Sequence, residues 1–159
     1  MPLIPTDSAI GTVLADVLNN NNVDVVWSYE NGVWKFYTAS GDVSNTLTTI
    51  EDGRGYWIYM NAPDTLVVQG TETPVVLGGT NLPPPPQHMY SLVDNDWNLL
   101  GFKYVSAMTA DDYINQYTFK TLSNNSKLWS YINSTNSYSP ALTKSDNLTS
   151  GLGYWLFLK

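Results

Sequence analysis

The chain carries one motif twice, and that internal repetition limits the folds open to it. Trp27-Ser28-Tyr29 recurs as Trp129-Ser130-Tyr131, and Gly53-Arg54-Gly55-Tyr56-Trp57-Ile58 recurs as Gly151-Leu152-Gly153-Tyr154-Trp155-Leu156. The intervals nearly agree: Trp27 to Trp57 is 30 residues, Trp129 to Trp155 is 26, and a short loop deletion accounts for the difference. The expected fold is mainly β (α+β): two pseudo-repeats of antiparallel strands, each with one short helix. The boundaries fall at residues 1–79 and 89–159, with a Pro-rich connection over 80–88 in which Pro83 to Pro86 favours polyproline II.

Local patterns fill in each unit. Ile10, Val13, Leu14, Val17 and Leu18 fall on one helical face behind Thr6 or Asp7 as cap, and the run Asn19 to Asn22 stops that helix. Thr109-Ala110-Asp111-Asp112 reads as a capping box with Asp in place of Glu, leading into a shorter helix through Tyr113, Ile114 and Tyr117. Asn31-Gly32 between two alternating apolar runs predicts a type I′ hairpin that pairs Tyr29 with Trp34 and Trp27 with Phe36. Further strands are expected at residues 55–60, 65–68, 75–77, 89–93, 97–102, 128–132 and 153–158, with turns at Asn61-Ala62-Pro63-Asp64, Gly70, Gly78-Gly79 and Asp94-Asn95-Asp96. The first unit continues beyond its Gly-Tyr-Trp strand whereas the second ends within it, and Trp97 begins a strand with no counterpart before Met1. The two units are therefore expected to share or tightly pack their sheets.

Composition narrows the chemistry. With 43% apolar and 13% aromatic residues, including six Trp and eleven Tyr, 159 residues supply a core and favour pleated structure. Seven basic against 14 acidic residues give a net charge of −7, which repels nucleic acid. The absence of cysteine removes disulfides and thiolate metal sites. No run of the sequence approaches a membrane span, and the first residues lack the pattern of a signal peptide. The expectation is a segment of a longer chain that does not insert in a membrane.

The order of these motifs resembles a tandem Gly-Trp-Asn-Leu / Gly-x-Gly-Tyr-Trp repeat of multi-domain archaeal and bacterial surface or secreted proteins. The matching residues are Trp97-Asn98-Leu99, Pro2-Leu3-Ile4-Pro5, Trp27 with Tyr29, Gly53 to Trp57, and Leu66 to Gly70, so the likeness covers most of the chain. Asp96 stands where that repeat has Gly, and Trp34 has no aligned Trp in the second unit. The resemblance implies an extracellular or cell-surface location, neighbouring repeats as partners, and a Gly-Trp-Asn-Leu strand just before Pro2 in the natural chain. It brings no activity with it.

Trp27, Tyr29, Gly53, Gly55, Tyr56, Trp57, Trp97, Trp129, Tyr131, Gly151, Gly153, Tyr154 and Trp155 are read as the structural motif, with Trp27, Trp57, Trp129 and Trp155 expected in the core. Trp34, Tyr37 and Tyr138 are the candidate ligand-binding residues, because a flat exposed ring stacks on the apolar face of a sugar. His88 stands alone in a loop, without the neighbours of a triad. The acidic pairs Asp94/Asp96, Asp111/Asp112 and Glu51/Asp52 are read as turn and cap residues, and Asp94-Asn95-Asp96 lacks the Gly and bidentate Glu of a Ca²⁺ loop. Asn124, Asn133 and Asn147 head Asn-x-Ser/Thr sequons and fit a surface position. The reading favours a non-catalytic structural or adhesive module that needs no metal or cofactor and contacts an unidentified protein or polysaccharide. A carbohydrate-binding module is the alternative, and a hydrolase, which needs two facing carboxylates, comes third.

Overall fold

A computed structural model describes residues 3–41, 43–72, 92–118 and 122–159, and the fold is mainly β. Eleven strands and three α-helices follow along the described chain: β1 (Leu3–Pro5), α1 (Ile10–Val13), α2 (Ala15–Asn19), β2 (Val23–Glu30), β3 (Val33–Thr38), β4 (Trp57–Met60), β5 (Gly70–Glu72), β6 (Asp96–Gly101), β7 (Met108–Thr109), α3 (Ala110–Thr118), β8 (Lys127–Ile132), β9 (Ser137–Tyr138), β10 (Asn147–Leu148) and β11 (Gly153–Leu158). They form an antiparallel sheet β3-β2-β4, a second one β6-β11-β8-β9, and two short ribbons, β1-β5 and β7-β10. The expected strand at residues 75–77, the Gly78-Gly79 turn, the Pro83 to Pro86 connection, His88 and the first part of the strand at 89–93 lie outside the described residues. Among the described residues no helix is long and apolar enough to cross a membrane.

Each sheet buries one face against helix. In β2 the period of two sends Val26 and Ser28 inward and Trp27 and Tyr29 outward, after a register shift between Val23 and Val25. Val26 joins Ile10, Val13, Leu14 and Val17 in the first core. In the second sheet Leu128, Tyr154, Leu156 and Leu158 face Tyr113 and Ile114 of α3. The two cores share a local device. The Tyr56 hydroxyl accepts the Glu51 N–H at 2.8 Å, and the Tyr154 hydroxyl accepts the Thr149 N–H at 2.7 Å. Gly53 and Gly151, each three residues before its tyrosine, take φ of 70° and 82°, a region closed to most side chains.

The Asn31-Gly32 turn has φ of 50° and 78°, which is type I′ geometry, and the register pairs Tyr29 with Trp34 and Trp27 with Phe36 as expected. Other expectations are corrected. The first helix is two short pieces broken at Leu14, whose ψ of 12° opens the helix there, and no side chain caps it; Asp7 instead accepts the Ala9 N–H at 2.9 Å. The second helix is the longer, at nine residues, and its box closes through the Thr109 hydroxyl, which donates to Asp112 at 2.6 Å and accepts the Asp112 N–H at 3.2 Å. Residues 65–68 are not a strand: Leu66 and Val68 pack on the first core, and pairing begins only at β5, against β1.

The two sheets meet through backbone and charge. Gly101 N–H donates to the Gly53 carbonyl at 2.8 Å, Gly55 N–H to Leu99 at 3.4 Å, and Arg54 bridges Leu100. Beside this contact Lys103 Nζ lies 2.7 Å from Asp52 Oδ2, with both side chains 1% exposed. Burial pushes the Lys103 ammonium below its ordinary pKa, and the bond and charge of Asp52 oppose that shift.

Candidate aromatic binding trough

The outward faces of the two sheets carry all six tryptophans. Cross-strand register sets Trp27 opposite both Phe36 and Trp57, and Trp155 opposite both Trp129 and Leu99. Across the gap between sheets, Trp155 packs on Tyr29 and Trp34 at centroid distances of 5.5 and 5.7 Å, while Trp57 packs on Tyr131 and Tyr138 at 4.7 and 6.2 Å. Trp97 closes one end against Trp129 and Phe157, each at 5.3 Å.

Between these rings run two adjoining clefts of about 490 and 470 Å³ that share Trp34, Tyr138 and Trp155. All six tryptophans line the pair, joined by Tyr29, Phe36 and Tyr138, and among the described residues no lining side chain is charged. Trp34, Tyr138 and Trp97 are 50%, 53% and 40% exposed and so form the open rim. Trp155 Nε1 is buried and, among the described residues, has no hydrogen-bond partner. Such a trough can hold a flat or ribbon-like ligand by stacking, with few polar groups to fix its orientation.

Two of the three expected ligand residues, Trp34 and Tyr138, are at this site. Tyr37 is not: it pairs with Val26 and packs on the first core, one residue out of phase with the aromatic face. The expectation that Trp27, Trp57, Trp129 and Trp155 lie in the core is likewise corrected. They are half-buried, because strand alternation gives the helix-covered face to their neighbours Val26, Leu128, Tyr154 and Leu156. Tyr138 is held by the short strand β9. It stands opposite Tyr131 as Trp34 stands opposite Tyr29, but across a longer loop in which Asn136 takes φ of 51°. That loop contains a 3₁₀ turn over Asn133–Thr135, and the Tyr131 hydroxyl donates to Asn136.

The chain matches no protein-family model, no curated protein and no solved structure.

Glu30 and Arg54, which lie beside Tyr29 and Trp97, are engaged with one another. Arg54 binds Glu51 at 2.7 Å and Glu30 at 3.4 Å, and Lys35 also reaches Glu30. Asp94-Asn95-Asp96 is a turn in which Asn95 takes φ of 58° and its N–H binds Leu158. Among the described residues no three His, Cys, Asp or Glu side chains converge as a metal site. The sequon residues Asn124, Asn133 and Asn147 are exposed.

Proposed function

We propose that this chain is a non-catalytic adhesive module of an extracytoplasmic protein, built from two diverged copies of one β unit, which grips polysaccharide in the aromatic trough. The observation that carries the reading is that all six tryptophans line one continuous pair of clefts. A core needs no such gathering on the face turned away from the helices, and exposed indole and phenol rings offer apolar area at low entropic cost to a pyranose face. The uncharged lining favours a neutral glycan over an ionic ligand. What supports the two-unit reading is the matched pairing of Trp27 with Trp57 and Trp129 with Trp155, together with the matched tyrosine bonds behind them.

The test is a glycan array followed by calorimetry on the best neutral polysaccharide. Trp34→Ala or Tyr138→Ala is expected to weaken binding about tenfold, equivalent to about 1.4 kcal/mol, while Tyr37→Phe leaves it unchanged. An array without signal would remove the glycan from the proposal.

A further inference from the structure

We infer that the cleft beside β4 is a seat for an added β-strand, filled by a segment of the Asp-Trp-Asn-Leu-Leu-Gly kind from a neighbouring unit. The inference rests on reading the two sheets as copies of one unit, and its cleft adjoins the aromatic trough, sharing Trp57 and Trp155 with it.

The occupied version of this seat is already present. β6 lies with one edge on β11, in the register Leu99 to Trp155 and Asn98 to Leu156, and touches residues 53–55 at its Leu99–Gly101 end. It also runs along β2. Around it the residual space between Glu30, Arg54 and Leu99 is about 30 Å³. Exchanging the two sheets maps this seat to the space between β4, residues 151–153 and β8. That space is a cleft of about 500 Å³, walled by Trp57 and Ile58, by Tyr131 and Ile132, and by Gly151 and Gly153.

Three matched positions differ as a filled and an unfilled seat should. Ile58 is 39% exposed, whereas Leu156, its counterpart on β11, is 0% exposed. Among the described residues β4 pairs with β2 alone, while β11 pairs on both edges, so the alternate N–H and C=O groups on the other edge of β4 join no ladder of those residues. A Cβ on Gly55 would come within 2.7 Å of Leu99 in β6, whereas a Cβ on Gly153 would meet nothing nearer than 3.7 Å. The occupant is therefore an antiparallel strand of β6's pattern, hydrogen-bonded to β4 and packed on Ile58 and Gly153, as in strand addition to an open sheet edge.

The probe is a synthetic peptide with the sequence of residues 95–103, titrated into the full chain and read by amide hydrogen exchange. Saturable binding that slows the open-edge amides of β4 about tenfold or more and leaves β3 unchanged is expected. The same peptide with proline at the positions of Asn98 and Leu100 should not bind, since it cannot complete the ladder. Gly153→Ala should keep the fold and lose the peptide. Absence of protection on β4, or equal binding by the proline peptide, overturns the inference. The two-unit reading is checked separately by the variant Ile58→Leu, Tyr59→Phe, Met60→Leu, which gives β4 the residues of β11. An unchanged melting temperature upholds that reading and an unfolded variant contradicts it, whichever way the peptide behaves.

Discussion

Gly55 marks the closest approach of the two sheets, where a single added methyl group would meet both the Leu99 side chain at 2.7 Å and the Leu100 carbonyl at 2.8 Å. Gly55→Ala should therefore cost about 1–3 kcal/mol in urea unfolding. The buried pair nearby obeys a different rule. Asp52→Asn leaves the Lys103 ammonium buried without its counter-charge and should cost about 3–5 kcal/mol, whereas Asp52→Leu with Lys103→Met should recover most of that loss. A double variant as unstable as the single one would show that the pair does more than neutralise itself. Neither residue's role was legible in the sequence. Gly55 reads there as part of the repeat motif and Asp52 as one of a pair of turn or cap acids, because contacts at a separation of about 50 residues leave no local pattern.

At the scale of elements, local chemistry was legible wherever it was self-contained. The Asn31-Gly32 turn and the Thr109/Asp112 box form from neighbours in sequence, so they read directly, and Thr109→Ala should cost about 1 kcal/mol by thermal melting. The end of α2 is tied by Asp64, which accepts Asn20 and Asn22 side-chain N–H groups at 2.9 Å each. Those bonds, and the Thr65 N–H, hold the Asp64 carboxyl below its ordinary value of 3.8; the Thr143 N–H and hydroxyl do the same for Asp146. A depressed carboxyl contributes stability above its unfolded pKa and loses it as pH falls through the folded one. The melting temperature should thus drop on acidification below about pH 4, and more shallowly in Asp64→Asn with Asp146→Asn, which a pH series of melts measures. The pairing of Tyr138 with Tyr131 was illegible because a longer loop displaced it from alignment with Trp34, although alternation would have placed it once β9 was recognised.

For the whole molecule, the sheets share a buried ion pair, backbone bonds at residues 53–55 and ring contacts across the trough, so they should unfold together. Circular dichroism and tryptophan fluorescence are expected to give coincident urea transitions, and two separated transitions would mean independent halves. The mainly β character was legible from composition and alternation, whereas the facing of two aromatic surfaces was not, since sequence reports which residues share a face but not which faces meet. The most direct test is a titration of ¹⁵N-labelled protein with a soluble neutral polysaccharide, following the indole N–H signals of the six tryptophans. Shifts concentrated at Trp34, Trp97 and Trp155, with the amides around Tyr37 unmoved, are predicted. Indole signals that stay fixed while other residues respond would contradict the trough as the binding face.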